Sequence, residues 1–354
     1  MLLNWCRASV LRTILVGALT LLTGHSMAAS SLGGKLELID DGSFFVNARS
    51  LKINNPGSSA VTGASPPGNI KVNQMYVHYR VPADAKNLPV VMVHGSGHTG
   101  TTYETTPDGR EGWATYFLRK SFPVYVVDQA GRGRSGFNPS VINAVGEKAV
   151  DPATMPTLFV ATIERAWPNF RFGAEYPKPY PNLQFPLEAL DQYLAQLVPN
   201  TESTLEGAGK NSVDALVALL DKIGPAVVMV HSQSGVLGLD VARQRPNLVK
   251  ALVSVEGGCE TVTAKDVATP FVKVPFVSVW GDNSKGAWGA NGDKRREGCV
   301  QAVNLIKGGG GRATFMLLPE MGIAGNSHMM MMDKNNLRVA DLIIQWITEN
   351  AARR

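Results

Sequence analysis

Short apolar runs recur along this chain, and each stops at a cluster of small polar residues. Residues 226–230, Ala-Val-Val-Met-Val, are bounded by Gly224-Pro225 before them and Gly235 after them. Their length and β-branched content predict a buried parallel strand. Residues 89–93, 123–127, 251–255, 275–280 and 313–318 read the same way. Apolar residues at helical spacing predict helices over 212–223, 236–243 and 337–347. Strands alternating with helices make this an α/β chain, with a mostly parallel central sheet covered by helices on both faces.

Two stretches depart from that rhythm. Residues 35–46 alternate around an Asp40-Asp41-Gly42 turn, and residues 74–81 alternate again, so the domain is expected to open with short antiparallel strands. The Gly-, Pro- and Ser-rich residues 54–69 between them form a loop. Residues 137–210 are rich in Pro and aromatics, including Trp167, Phe170, Phe172, Tyr176, Tyr180 and Phe185, with one helix near 187–198. A long insertion at the carboxyl edge of a sheet is placed to roof a pocket, so a cap is expected over about 137–210.

The run ending at Val230 leads into His231-Ser232-Gln233-Ser234-Gly235. A serine on the sharp turn between a strand and a helix holds its hydroxyl above the sheet at a helix N-terminus, the arrangement of a nucleophile elbow. Ser232 is the expected nucleophile. The elbow prefers glycine two residues to either side, where Val230 and Ser234 stand here. Shifting the nucleophile to Ser234 would set Ser232 and Val236 at those flanks, a poorer match.

A serine hydroxyl attacks only when a histidine takes its proton, and the histidine needs a carboxylate to fix its tautomer. Of the six histidines, only His328 follows Ser232 at enough distance for the order serine, acid, histidine. The acid is less determined. The position that a Gly-x-x-Asp pattern after residues 275–280 would fill is Ser284, and Asp282 lies two residues earlier. Glu256 directly follows the preceding strand, and its extra methylene reaches the same imidazole, so Glu256 is expected and Asp282 is the alternative. An oxyanion needs preformed amide donors. These are expected at Gln233 and, in the loop His94-Gly-Ser-Gly-His-Thr-Gly100, at Ser96 or Gly97. That loop lacks the Lys-Ser/Thr of a phosphate loop, so no nucleotide is implied.

Other motifs add little chemistry. Asp128 to Ser135 has the form of a tight strand exit, a structural feature. Met329 to Met332 either wall an apolar acyl pocket or fill space. The histidines are dispersed and no Cys-x-x-Cys occurs, so no metal is expected.

Composition changes the picture mainly at the N-terminus. The 354 residues, 44% hydrophobic and 18% charged, suit one large α/β domain with insertions. Arg7 and Arg12, an apolar stretch over 13–22 and Ser26-Met27-Ala28 read as a signal peptide over 1–28, leaving a single domain over 29–354. The apolar stretch is about half of the ~20 residues a spanning helix needs, so no stable membrane span is expected. Cleavage lowers the formal charge from +5 to +3 by removing two arginines. With basic and acidic residues interleaved, nucleic acid is excluded as a partner. Export to a secreted or periplasmic location leaves Cys259 and Cys299 as one pair in an oxidising compartment, where a disulfide is expected.

From His94-Gly95 through His231-Ser232-Gln233 to His328, the chain resembles the α/β-hydrolase superfamily. It is most similar to a group of atypical secreted bacterial esterases with a Ser-His-Glu triad. The resemblance rests on Ser-Val-Glu256, on Gly325-Asn-Ser-His328-Met-Met-Met and on Asp333-Lys-Asn-Asn336-Leu. It implies an α/β-hydrolase fold, Glu256 as the acid, a disulfide near Cys259 and Cys299, and cleavage of carboxylic esters without a cofactor. The chain departs from that group at Ser96-Gly97, where the group carries adjacent cysteines, so whatever rigidity a vicinal disulfide gives that loop is absent here. The implied partner is a small-molecule ester; the number of copies is left open, a homodimer among the options. A lactonase or polyester hydrolase with the same triad is an alternative, as is a catalytically silent binding protein on this fold.

Overall fold

The computed structural model describes residues 33–200, 208–284 and 292–351. The residues read as a signal peptide lie outside these. Eight strands form one sheet: β1 (Leu38–Val46), β2 (Met75–Pro82), β3 (Val90–Val93), β4 (Val124–Asp128), β5 (Ala226–His231), β6 (Val249–Val255), β7 (Phe276–Trp280) and β8 (Ala313–Leu317). Their spatial order is β1-β2-β4-β3-β5-β6-β7-β8. Only β2 pairs antiparallel with its neighbours; β4 through β8 run parallel.

Among the described residues, the helices packed on this sheet include α1 (Trp113–Arg119), α2 (Ala208–Ile223), α3 (Ser234–Gln244), α4 (Asp293–Gly308) and α5 (Asn336–Asn350). Because strand side chains alternate, each central strand feeds two cores. Val90 and Met92 of β3, with Val227 and Met229 of β5, face one side and pack with α1 and α5. Val91, Val93, Val228 and Val230 face the other and pack with α2, α3 and α4. Both faces being covered, the strands are apolar throughout, which is why they read as unbroken apolar runs. Met329 to Met332 are fully buried in the first core, between the sheet and α5. No helix of the described residues is long and apolar enough to cross a membrane.

The Asp40-Asp41-Gly42 turn does not form. Those residues lie inside β1, which pairs with β2 from Val46 opposite Met75 to Leu38 opposite Pro82, with a bulge near Leu38. A Cβ at Gly42 would stand 2.8 Å from the Tyr79 hydroxyl, so the glycine gives the cross-strand Tyr79 ring room to lie over β1. Cross-strand packing outweighed a local turn signal.

The stretch following Phe137 carries short helices at Ser140–Gly146, Ile163–Asn169 and Leu190–Ala195. Its aromatic residues Trp167, Phe170, Phe172, Phe185 and Tyr193 are buried and pack on one another, with Phe172 and Phe185 stacked at 4.1 Å between ring centres. It is tied to the sheet's carboxyl edge by backbone bonds: the Val198 amide donates to the Gly97 carbonyl at 2.9 Å and the Gln184 amide to the Gly325 carbonyl at 2.8 Å.

Candidate active site

Parallel register brings three strand exits together. Val93 lies beside Val230, and Val255 lies beside both His231 and Val279. The next residues of β3, β5 and β6 therefore emerge side by side at one edge, and these are the His94-Gly95 loop, Ser232 and Glu256. The Ser232 amide donates to the Val255 carbonyl at 3.1 Å.

Ser232 has φ +55°, a left-handed conformation unusual for a residue with a Cβ, between the end of β5 and the start of α3. The turn is bought by close packing around it. A Cβ on Gly235 would come within 2.4 Å of the Gly258 amide nitrogen, and one on Gly95 within 2.9 Å of Ser232 Cβ. The close approach for which the elbow pattern uses glycine at 234 occurs one residue later, at Gly235. Ser234 is fully buried, and its hydroxyl accepts from the His231 amide at 2.9 Å and lies 3.0 Å from the Val93 carbonyl. It stitches β3 to β5 and is spent on that task.

Glu256, also left-handed at φ +48°, is wholly buried. One carboxylate oxygen accepts from His328 Nδ1 at 2.6 Å. The other accepts from the Gly281 amide at 2.8 Å and from the Arg171 guanidinium. Burial alone would raise this carboxyl, but the adjacent Arg171 charge and the His328 hydrogen bond outweigh it and hold its pKa at about 2. Glu256 is therefore an anion at every ordinary pH. With Nδ1–H donating to it, His328 carries its free lone pair on Nε2, which is buried and has no hydrogen-bond partner among the described residues. Burial lowers the His328 pKa below 6.5, the glutamate opposing.

The backbone of His328 is pinned at both ends. Its amide donates to the Phe170 carbonyl at 2.9 Å and its carbonyl accepts from His231 Nε2 at 3.0 Å. Below it, the buried Asp333 carboxylate accepts from the Ser327 amide and hydroxyl and from the Asn326 side chain. Asp282 is used differently from Glu256. Its carboxylate accepts from the Asn326 amide at 3.0 Å, and its own amide donates to the Asn326 carbonyl at 3.1 Å. It braces the loop that carries His328, while Glu256 engages the ring.

In the glycine loop, the Gly95 carbonyl accepts from Arg132 Nη1 at 2.6 Å, and the Ser96 carbonyl from His98 Nδ1 at 2.8 Å. His98 Nε2 in turn accepts from the Tyr193 hydroxyl at 3.0 Å. His94 accepts from the Gln129 amide on Nε2, and the Gln129 side chain spans the His94 carbonyl and the Gln233 side-chain oxygen. Since a peptide is planar and trans, a carbonyl drawn toward Arg132 turns the Ser96 N–H the opposite way. Burial lowers the pKa of His98 to about 4 and of Arg132 to about 10, so the former is neutral and the latter charged. This buried network braces a loop that has no adjacent cysteines.

Ser232, Gln233, Ser96 and Gly97 line one open pocket together with Phe170 and Leu197 from the insertion. Cys259 and Cys299 are bonded to each other, joining the loop after Glu256 to α4. Three contributors were not singled out from the sequence: Arg171, Arg132 and Gln129. Arg171 lies in the aromatic insertion with nothing local to mark it. Arg132 lies inside the Asp128–Ser135 strand exit, whose glycines drew attention away from its arginine.

The strand order and the side chains gathered at its carboxyl edge define the class, an α/β-hydrolase. No family model matches the chain. It is 30% identical over 317 residues to a probable secreted lipase, phiG, of Fungal sp. (strain ATCC 74256), spanning 77% of this chain and 85% of that protein. A bacterial esterase solved at atomic resolution matches it with a TM-score of 0.85 and 40% identity, over 90% of this chain and 98% of that one. The chain belongs to this family, the esterases and lipases of the α/β-hydrolase fold.

Proposed function

We propose that the protein cleaves carboxylic esters through an acyl-enzyme formed on Ser232. His328 Nε2 takes the hydroxyl proton as Ser232 attacks the ester carbonyl, then delivers it to the departing alcohol. Glu256 holds the imidazole in the Nδ1–H tautomer and stabilises its transient charge. The amides of Gln233 and Ser96 meet the oxyanion. Water then repeats the sequence on the acyl group and releases the acid. The observation that carries this reading is the 2.6 Å bond from His328 to a fully ionised Glu256, beside a serine held at φ +55° at a helix start. The outward-turned Gly95 carbonyl supports Ser96 as the second donor. No cofactor is needed for these steps.

The insertion over about 137–210 acts as a cap, a role supported by Phe170 and Leu197 lining the cavity. Export to a secreted or periplasmic location fits the buried disulfide and the secreted fungal relative. The test is a fluorophosphonate, which labels only a serine activated by a working base, followed by peptide mapping and an ester panel. One adduct on Ser232 with ester turnover is expected. An adduct on Ser234 would shift the nucleophile, and folded protein with neither adduct nor turnover would return the silent binding protein.

A further inference from the structure

Residues 326–329 run through the histidine, and each of their amides has its own acceptor. The Asn326 amide donates to the Asp282 carboxylate at 3.0 Å and the Ser327 amide to the Asp333 carboxylate at 2.8 Å. The His328 amide donates to the Phe170 carbonyl at 2.9 Å and the Met329 amide to the Ser327 hydroxyl at 3.0 Å. A serine oxygen that takes the amide two residues on closes the chain over the residue between, here His328. The same hydroxyl donates to Asp333 Oδ1 at 2.7 Å, while Asp333 Oδ2, which holds the Ser327 amide, also accepts from the Asn326 side chain at 2.9 Å. Asp333 thus holds the amide before His328 directly and the amide after it through the Ser327 hydroxyl.

The anchorage of Asp333 lies on its other side. The Asp333 and Met332 carbonyls accept from the Arg110 guanidinium at 3.0 and 2.9 Å. Asn336, whose amide donates to the Asp333 carbonyl at 2.9 Å, donates from its side chain to the Glu111 carbonyl at 3.0 Å. The backbone is fixed to the segment ahead of α1 while the carboxylate faces the histidine loop. Asp333 is fully buried, and no Lys or Arg bonds its carboxylate among the described residues. Burying an unpaired carboxylate costs free energy unless donors surround it. All three donors here come from the two residues before His328, and an ionised carboxyl, having no proton of its own, can accept from all of them.

We propose that Asp333 is a positioning residue for His328: acting through Ser327, its ionised carboxylate sets where the imidazole stands between Glu256 and Ser232. The proposal rests on the serine-hydrolase reading above. Burial, with the Glu256 charge adding to it, raises the Asp333 pKa to about 7 against the pull of the three donors. The other titratable groups around it are His328 itself, Asp282 beyond Asn326, Arg110 with its partner Asp108, Glu111 ahead of α1, and Lys334, which pairs with Glu188 of the insertion. A proton gained by Asp333 adds a donor among three donors. The profile of kcat/KM should therefore carry a shallow step near pH 7, above the steeper loss as His328 is protonated.

The test compares Asp333→Asn, Ser327→Ala and the double variant with the unaltered protein on p-nitrophenyl butyrate, with active sites counted by fluorophosphonate labelling of Ser232 taken to completion. Turnover is read at about pH 8.5, where Asp333 is ionised and His328 neutral. Asparagine has the shape of aspartate and can keep its oxygen toward the Ser327 amide, but it sets a nitrogen donor against the Ser327 hydroxyl; alanine removes that hydroxyl. Each single variant should lower kcat per labelled site about tenfold with KM changed less than about twofold, the scale of a small misplacement of a catalytic group. The double variant should lose little more than either, because both cut one connection. The step near pH 7 should be absent from Asp333→Asn. Circular dichroism reports folding, and should Asp333→Asn fail to fold, Ser327→Ala carries the same expectation for kcat. Unchanged kcat per labelled site in the folded variants, losses that multiply in the double variant, or a pH profile that Asp333→Asn leaves as it was overturns the inference. A lowered thermal midpoint with unchanged kcat makes Asp333 a stabilising residue only. If the unaltered protein turns over ester and is labelled on Ser232, such a failure touches Asp333 alone. If it shows neither label nor turnover, the serine-hydrolase reading itself has failed.

Discussion

Glu256 and Asp282 leave the ends of adjacent parallel strands, β6 and β7, and each stands within reach of the loop that carries His328. Their surroundings set them apart. Glu256 is sealed from water, faces a buried arginine and is held at a pKa of about 2. Asp282 is half-buried, bonds backbone amides of the histidine loop, and is raised above the ordinary aspartate value by burial. A carboxylate placed to balance an imidazolium has to remain ionised in a dry site, and Glu256, bonded to the Arg171 guanidinium, does so; Asp282 receives the same arginine only on its backbone carbonyl, at 2.6 Å. Position at a strand end made both candidates; what separates them is that only the Glu256 carboxylate bonds the Arg171 guanidinium and the His328 ring, whereas the Asp282 carboxylate bonds backbone.

The comparison breaks or holds on substitutions in graded order. Ser232→Ala and His328→Ala should each lower kcat/KM on an activated ester by about a thousandfold or more, since neither attack nor proton transfer remains. Glu256→Gln should cost about a hundredfold to ten-thousandfold, because the tautomer and the imidazolium lose their support. Asp282→Asn should stay within about tenfold, an amide oxygen still accepting from Asn326. If Asp282→Asn is the dead variant and Glu256→Gln the live one, the roles are reversed.

Stability offers a second measure. Removing Arg171 strands a buried anion, so Arg171→Met should cost about 3–5 kcal/mol in chemical unfolding. The folded pKa of Glu256 lies below its unfolded value of 4.5, so its contribution is complete above that pH and is lost as pH falls toward about 2. Asp282, shifted upward, works in the opposite sense: its burial penalises the ionised fold above its ordinary pKa. Replacing Cys259 and Cys299 by serine opens a cross-link between residues 40 apart and should cost about 2–4 kcal/mol.

The smallest effects sharpen the contrast. The acid limb of kcat/KM should have its midpoint below 6.5, because burial lowers His328. Arg171→Gln should move that midpoint up, since the arginine charge lowers His328, and Glu256→Gln should move it down, since the carboxylate raises it. Asp282→Asn should leave it where it was. A pH profile over folded variants reads all three.

Much of the architecture was legible because its signals are local. The β-branched run 226–230 and the helical spacing after it predicted β5 and α3 to within a few residues. Strand 251–255 placed Glu256 at its end in the same way. The disulfide followed from cysteine count and compartment. Other parts were not legible. Asp40-Asp41-Gly42 carries a turn signal that cross-strand pairing overrode. Helix α4 has a mixed polar pattern that periodicity did not mark. The buried Arg171 sits in a stretch where aromatic content was the visible feature.

The sequence by itself determined the alternation of strands and helices, the residue types at each strand end and the order in which Ser232, Glu256 and His328 occur, because backbone propensity and apolar periodicity act over a few residues. The tertiary structure decided which carboxylate meets His328 Nδ1 and which carbonyls of the glycine loop are drawn away by Arg132 and His98. Those outcomes depend on contacts across 85 residues from Arg171 to Glu256 and 72 from Glu256 to His328. Charge and hydrogen bonding become selective only when groups so distant in the chain are brought together and water is removed from between them.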